Sequence, residues 1–72
     1  MVMEEIIQNK VGLFRQEKKM TQEELAGLVG VTRQTIIALE KGNYTPSVLL
    51  ALRIARVFQV EVEQIFSIRN IK

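Results

Sequence analysis

Apolar residues recur along this chain at intervals of three and four, the spacing of one helix face, rather than at the interval of two expected of a half-buried strand. Valine, isoleucine and phenylalanine are frequent enough to suggest strands, but period outranks propensity. A first helix is expected over about residues 4 to 18, with Ile7, Val11 and Phe14 inward, Lys10, Arg15 and Lys18 outward, and Gly12 weakening it slightly. Thr21 is a good N-cap and Glu24, three residues on, completes a capping box. A second helix therefore starts there and runs to about Val29 with Leu25 and Leu28 inward. Gly30 breaks it. Thr32 caps a third helix that carries Ile36 and Leu39 on its inner face and stops before Gly42, a natural left-handed C-terminal residue.

The lone proline, Pro46, sits in "KGNYTPS", the clearest loop signal of the chain. Ser47 then caps a fourth helix to about Phe58, along which Val48, Leu52, Ala55 and Phe58 follow helical spacing. A short fifth helix from about Val62 to Phe66 adds Val62, Ile65 and Phe66 as a lid. The expected architecture is all-α: one compact five-helix domain over residues 1–72, with its core at about 6–66 and residues 67–72 as a tail and candidate dimer contact.

Composition narrows the function. A chain of 72 residues closes one modest core and leaves no room for a deep cleft, so its chemistry sits near the surface. It has no cysteine and no histidine, which removes disulfides, thiolate or imidazole metal sites and histidine-based catalysis. Glu4, Glu5, Glu23, Glu24, Glu61 and Glu63 supply carboxylates without an apolar cleft or a base partner. No enzyme, cofactor or metal is therefore expected. No apolar run approaches a membrane span of roughly 18 residues, and "MVMEEIIQNK" is acidic before its short apolar pair, unlike a signal peptide, so a soluble cytoplasmic protein is expected. The net charge is only +2 although the pI is about 9.3, so the distribution of charge matters more than its sum.

The second and third helices are joined by only Gly30, Val31 and a cap. They must cross steeply, with Ala26 small enough for the close approach, and such a pair is a helix-turn-helix. The pattern from Gln22 through Ala26, Gly30, Ile36 and Leu39 closely resembles the DNA-binding domain of the lambdoid phage repressor and Cro type, also called the xenobiotic-response-element family. The resemblance extends to "FRQEKKMTQEELA" before the motif and "EKGNYTPSVLLALRIARVFQVEVEQIF" after it, nearly the whole chain.

That resemblance implies a sequence-specific binder of double-stranded DNA whose groove-facing positions are Thr32, Arg33, Gln34 and Ile37. The chemistry agrees: arginine pairs with guanine O6 and N7, glutamine with adenine N6 and N7, and isoleucine packs on a thymine methyl. Gln22 matches a family position that grips phosphate, and Lys41, Asn43 and Tyr44 lie in the loop where the DNA backbone should pass. Lys41 also suits a helix C-terminus by its charge alone. Glu24 has its capping task, and helix geometry is expected to turn Glu23 away from the DNA. The family commonly pairs an arginine late in the first helix with a glutamate ending the third, which here are Arg15 and Glu40. Such a half-buried pair would chiefly orient the reading helix. Lys19 and Gln59 stand where relatives usually carry glycine, so either both take positive φ or those turns differ, and Glu61 replaces the usual serine or aspartate cap of the fifth helix.

One reading helix contacts few base pairs, too few for specificity in a genome, and relatives of this layout present paired recognition helices about 34–36 Å apart. A homodimer on a palindromic operator is expected. Leu49 and Leu50 exceed what one inward stripe of the fourth helix needs, and Ile65, Ile68 and Ile71 continue the apolar character, so these five are the candidate interface, unless they complete the monomer core. A short strand from Ser67 to Ile71, pairing with its symmetry mate, would extend it. The expected function is repression by operator occlusion. The alternatives are an antitoxin-type DNA-binding protein that also captures a toxin partner through Leu49, Leu50 and Ile68, and an interaction module that has lost DNA binding.

Overall fold

A computed structural model of the chain describes residues 4–71. Residues 1–3 and 72, which the 1–72 domain and the acidic N-terminal reading include, lie outside the described residues. The elements run β1 (Glu5–Asn9), α1 (Val11–Glu17), α2 (Gln22–Val29), α3 (Arg33–Glu40), α4 (Val48–Phe58), α5 (Val62–Ile65) and β2 (Phe66–Asn70). The five helices are present, but the fold is not purely all-α, because β1 and β2 form an antiparallel sheet.

That sheet replaces the first half of the expected long first helix. Asn9 Oδ1 accepts from Val11 N at 3.0 Å, a local turn that starts α1 seven residues later than about residue 4. Upstream, "EIIQN" pairs with "FSIRN" in the register Glu5↔Asn70, Ile7↔Ile68 and Asn9↔Phe66. Lys10 N to Ile65 O (2.9 Å) and Ile71 N to Glu4 O (3.1 Å) close the two ends. The C-terminal strand therefore pairs with β1 of its own chain. Ile7, expected inward on a helix, is instead exposed on the sheet.

The caps fall where the local sequence puts them. Thr21 Oγ1 accepts from Glu24 N (3.0 Å) while Glu24 Oε1 accepts from Thr21 N (2.8 Å), closing the capping box. Thr32 and Ser47 accept from Thr35 N and Leu50 N at the starts of α3 and α4. At α5 the Glu61 side chain makes no capping bond. Gln64 Oε1 instead accepts from Glu61 N at 2.8 Å, so the box is closed from its far end. Lys19 (φ 54°) and Gln59 (φ 58°) both adopt the left-handed conformation, as Gly30 and Gly42 do, so those turns keep their geometry despite the missing glycines.

The core joins Val11, Leu25, Ala26, Val29, Ile36, Leu39, Leu50, Ile54, Ala55, Phe58 and Ile65. Phe14 stacks on Phe58 with ring centroids 5.6 Å apart. Two inner faces differ from expectation. On α2 it is Leu25, Ala26 and Val29 that are buried, and Leu28 is 63% exposed. On α4 the buried stripe is Leu50, Ile54, Ala55 and Phe58, whereas Val48 is 76% exposed and Leu52 is exposed too. "VLLALRIARVF" carries apolar residues on both sides of the helix, so periodicity permits either stripe and packing against α2 and α5 chooses. Leu50 (5% exposed) and Ile65 (2%) are thereby core residues and leave the candidate dimer surface, while Leu49, Ile68 and Ile71 remain exposed. No helix among the described residues is long and apolar enough to cross a membrane.

Candidate nucleic-acid interface

The turn between α2 and α3 is made by Gly30 in the left-handed conformation, with Gly30 N and Val31 N both donating to Ala26 O at 2.9 and 3.0 Å. One carbonyl takes both amides, which ends α2 abruptly and lets α3 begin two residues later, at Arg33. Ile36 and Leu39 are fully buried and fix the rotation of α3 about its own axis. Its opposite face follows: Thr32, Arg33 and Gln34 are exposed at its first turn, and Ile37, one turn further along, is half-buried. Thr32 is partly occupied, since its Oγ1 lies 3.1 Å from Thr35 Oγ1 besides accepting from Thr35 N.

At the other end of α3, Gly42 N donates to Leu39 O (3.0 Å) and Asn43 N to Ala38 O (2.9 Å), the paired bonds of a Schellman turn. The turn satisfies the last carbonyls and throws the chain outward, leaving Lys41, Asn43 and Tyr44 exposed in one short loop. The expected contact residues are therefore arranged at both ends of one helix.

Arg15 and Glu40 meet beneath this surface. Arg15 Nε and Nη2 donate to Glu40 Oε2 and Oε1 at 2.7 and 3.2 Å, a two-point pair that is 13% exposed on each side. Arg15 Nη1 donates to Met20 O at 2.8 Å, so the same guanidinium braces the turn between α1 and α2. The hydrogen bond to Glu40 raises the Arg15 pKa above its usual value. Burial opposes this, and the attraction of the Glu40 charge adds to it. Gln22 is drawn in as well: its Nε2 donates to Glu40 Oε1 at 3.1 Å. Glu23, expected to turn away, lines an open concavity of about 430 Å³ together with Arg15, Thr21, Gln22 and Arg33, at the mouth between the first turns of α2 and α3.

Asn9 is the residue that periodicity missed. Its Nδ2 donates to Leu39 O at 2.9 Å, reaching the last turn of α3 from the end of β1. The signal is an asparagine two residues before a helix start, masked by the helical spacing of Ile7, Val11 and Phe14 around it.

A polar helix end, held by a buried inner face and a steep two-helix turn, defines a helix-turn-helix DNA-binding protein. Comparison with known proteins makes the assignment specific. The helix-turn-helix family profile matches residues 13–65, and the chain belongs to the Cro/C1-type helix-turn-helix family. It is 66% identical over 53 residues, 72% of this chain and 77% of the other, to an uncharacterised HTH-type transcriptional regulator of Methanothermobacter thermautotrophicus. It is 30% identical over 59 residues to the cryptic phage CTXphi transcriptional repressor RstR of Vibrio cholerae, covering 82% of this chain but 53% of RstR. Among solved structures, the restriction-modification controller protein C.AhdI of Aeromonas hydrophila superposes with a TM-score of 0.72 at 27% identity, over 76% of this chain and 83% of that one. The chain is thus a DNA-binding transcriptional regulator.

Proposed function

We propose that the protein is a repressor that occupies a palindromic operator as a twofold homodimer and excludes polymerase by its bulk. The observation that carries this reading is the exposed polar first turn of α3, set on an inner face with no exposure at Ile36 or Leu39. Arg33 and Gln34 read base edges there, Ile37 packs on a thymine methyl, and Thr32, whose hydroxyl is shared with Thr35, offers its methyl. Gln22, Lys41, Asn43 and Tyr44 hold phosphates. The Gln22 amide has two N–H groups; one is given to Glu40 and the other is left for a phosphate oxygen. The similarity to RstR favours repression over activation, and occlusion needs nothing beyond this one domain, acting in the cytoplasm where the DNA is.

Pairing of two copies is supported by apolar surface that the monomer leaves uncovered. Leu49, Ile68 and Ile71 are exposed, joined by Val48 and Leu52 on α4 and by Ile7 on the sheet. Ile7 and Phe66 border the hollows that run from the sheet to Val48 and Ala51. Such a face is self-complementary in a twofold pair.

Binding-site selection from a random duplex pool, followed by titration of variants, tests the reading. Arg33→Ala and Gln34→Ala are each expected to relax one base position by about 1–3 kcal/mol, and Lys41→Ala to weaken all sequences alike and reduce the salt slope by about 1. Equal losses on selected and random DNA for Arg33→Ala sink the reading-head assignment. A monomer in sedimentation equilibrium at tens of micromolar that also protects a single non-palindromic half-site refutes the dimer.

A further inference from the structure

We infer that Asn9 is a positioning residue for DNA reading, setting the pose of α3 from the sheet without touching DNA itself. One side chain serves two helices. Its Oδ1 accepts from Val11 N at 3.0 Å and so starts α1, and its Nδ2 donates to Leu39 O at 2.9 Å, where α3 ends. Leu39 O also accepts from Gly42 N at 3.0 Å, within the turn that launches the loop bearing Lys41, Asn43 and Tyr44. The carbonyl is thus held from both sides, by the loop and by the sheet.

Asn9 is itself tightly placed. It pairs with Phe66 at the inner end of the ladder, and the next backbone bond, Lys10 N to Ile65 O at 2.9 Å, ties it to the buried Ile65 of α5. Ile36 and Leu39 fix the rotation of α3 about its axis, but apolar contacts are non-directional and resist sliding along the axis poorly. Arg15 restrains the helix through the flexible Glu40 side chain. The Asn9 bond is a directional restraint on the α3 backbone, from outside the helix-turn-helix, on the end opposite Arg33 and Gln34. Base contacts tolerate little displacement, so loosening this restraint costs base reading more than it costs phosphate contact.

The inference rests on the DNA-reading role proposed for Arg33 and Gln34, and the two chemical tasks of Asn9 can be separated. Asn9→Asp keeps an oxygen for Val11 N and has no donor for Leu39 O, Asn9→Ser keeps an oxygen for Val11 N but carries its one O–H on a shorter side chain than the amide that reaches Leu39 O, and Asn9→Ala loses both. Each variant and the wild type are titrated against a selected duplex and a random one at equal salt, and against a duplex with one half-site, where pairing of copies plays no part. Circular dichroism records folding at the assay temperature and the thermal midpoint. The ratio of selected to random affinity is expected to fall roughly three- to tenfold in all three variants, the scale of one directional hydrogen bond. The thermal midpoint is expected to fall most in Asn9→Ala. Discrimination then follows the donor and stability follows the acceptor. A wild-type ratio in Asn9→Ser and Asn9→Asp, or a ratio that falls only in Asn9→Ala in step with its midpoint, overturns the inference and leaves Asn9 a brace of the fold. A wild type that fails to prefer the selected duplex overturns the reading role of α3, and this inference with it.

Discussion

Helices α3 and α4 are both amphipathic and both contribute to one core, yet their outer faces have opposite chemistry. On α3 the apolar residues turn inward at Ile36 and Leu39, and the outer face of its first turn is polar. On α4 the core takes Leu50, Ile54, Ala55 and Phe58, and the outer side still carries Val48, Leu49 and Leu52, with Ile7 and Ile68 of the sheet exposed besides. A domain this small recruits the apolar groups it can reach, so a run left in water on one side points to a partner. On the proposed function the two halves have different tasks: α3 would meet a polar, charged partner through hydrogen bonds, and the α4 and sheet half a second apolar surface.

Paired truncations give the widest test of that contrast. Leu39→Ala removes a fully buried side chain and is expected to destabilise the folded protein by about 2–5 kcal/mol, while Leu49→Ala is expected to stay within about 0.5 kcal/mol for the monomer. Urea melts at several protein concentrations measure both. If Leu49 serves pairing, its substitution removes the concentration dependence of the midpoint instead of lowering the dilute-limit stability. Similar dilute-limit losses for the two leucines would break the division between the halves.

A smaller effect is expected at the pair that anchors the reading half. Arg15→Ala leaves Glu40 without its two-point partner and Met20 O without its donor, at an expected cost of about 1–3 kcal/mol. This lies below the value for a fully buried pair because both side chains keep 13% exposure. DNA binding is expected to fall with it. Adding Glu40→Gln should recover part of the loss, since the stranded charge is removed, and strictly additive losses in that cycle would mean the two residues are energetically independent. The Arg15 pKa is raised in the folded state, so its contribution is fully present below its unfolded value and fades only as pH rises through the folded one. Both lie above ordinary assay conditions. The Arg15 contribution to the urea midpoint is therefore expected to stay flat through neutral and mildly basic pH.

The sequence made the reading half more legible than the pairing half, for a physical reason. Thr21 with Glu24, Thr32 and Ser47 act on amides three residues away, so their caps are written locally, and the short Gly30–Val31 connection forces the crossing of α2 and α3. The sheet depends on partners far apart in the chain: Gln8 donates to Ser67 across 59 positions, and "EIIQN" read alone fits a helix through Ile7 and Val11. Which stripe of α4 faces inward is likewise decided by α2 and α5, because its apolar residues lie on more than one side of it. At the proposed interface, residue types and spacing point to Arg33, Gln34 and Lys41 as candidates, but the bond from Gln22 to Glu40 and that from Asn9 to Leu39 O belong to tertiary geometry.

The smallest expected effect concerns the two residues that hold glycine geometry without being glycine, one in each half. Lys19 closes the turn after α1 beside Met20 and the Arg15 brace, and Gln59 closes α4 before the α5 and sheet unit. A left-handed residue with a Cβ pays about 1–2 kcal/mol against the right-handed form, and glycine returns about 0.4–1 kcal/mol of that through the greater freedom of the unfolded chain. Lys19→Gly and Gln59→Gly are therefore each expected to stabilise by about 0.5 kcal/mol, a rise of a few degrees in Tm for a domain of this size. The locations sharpen the comparison of halves. The end of α4 is fixed by Gln59 N to Arg56 O at 3.1 Å and Val60 N to Ala55 O at 3.1 Å, entirely by backbone. Gln59→Gly thus changes strain and nothing else, and should leave the DNA salt slope unaltered. Lys19→Gly also deletes a cation near Glu23 and Glu24, both of which line the open hollow beside it, so its gain should shrink at low salt. A loss of stability at Gln59→Gly would show that its side chain, not its backbone, closes α4.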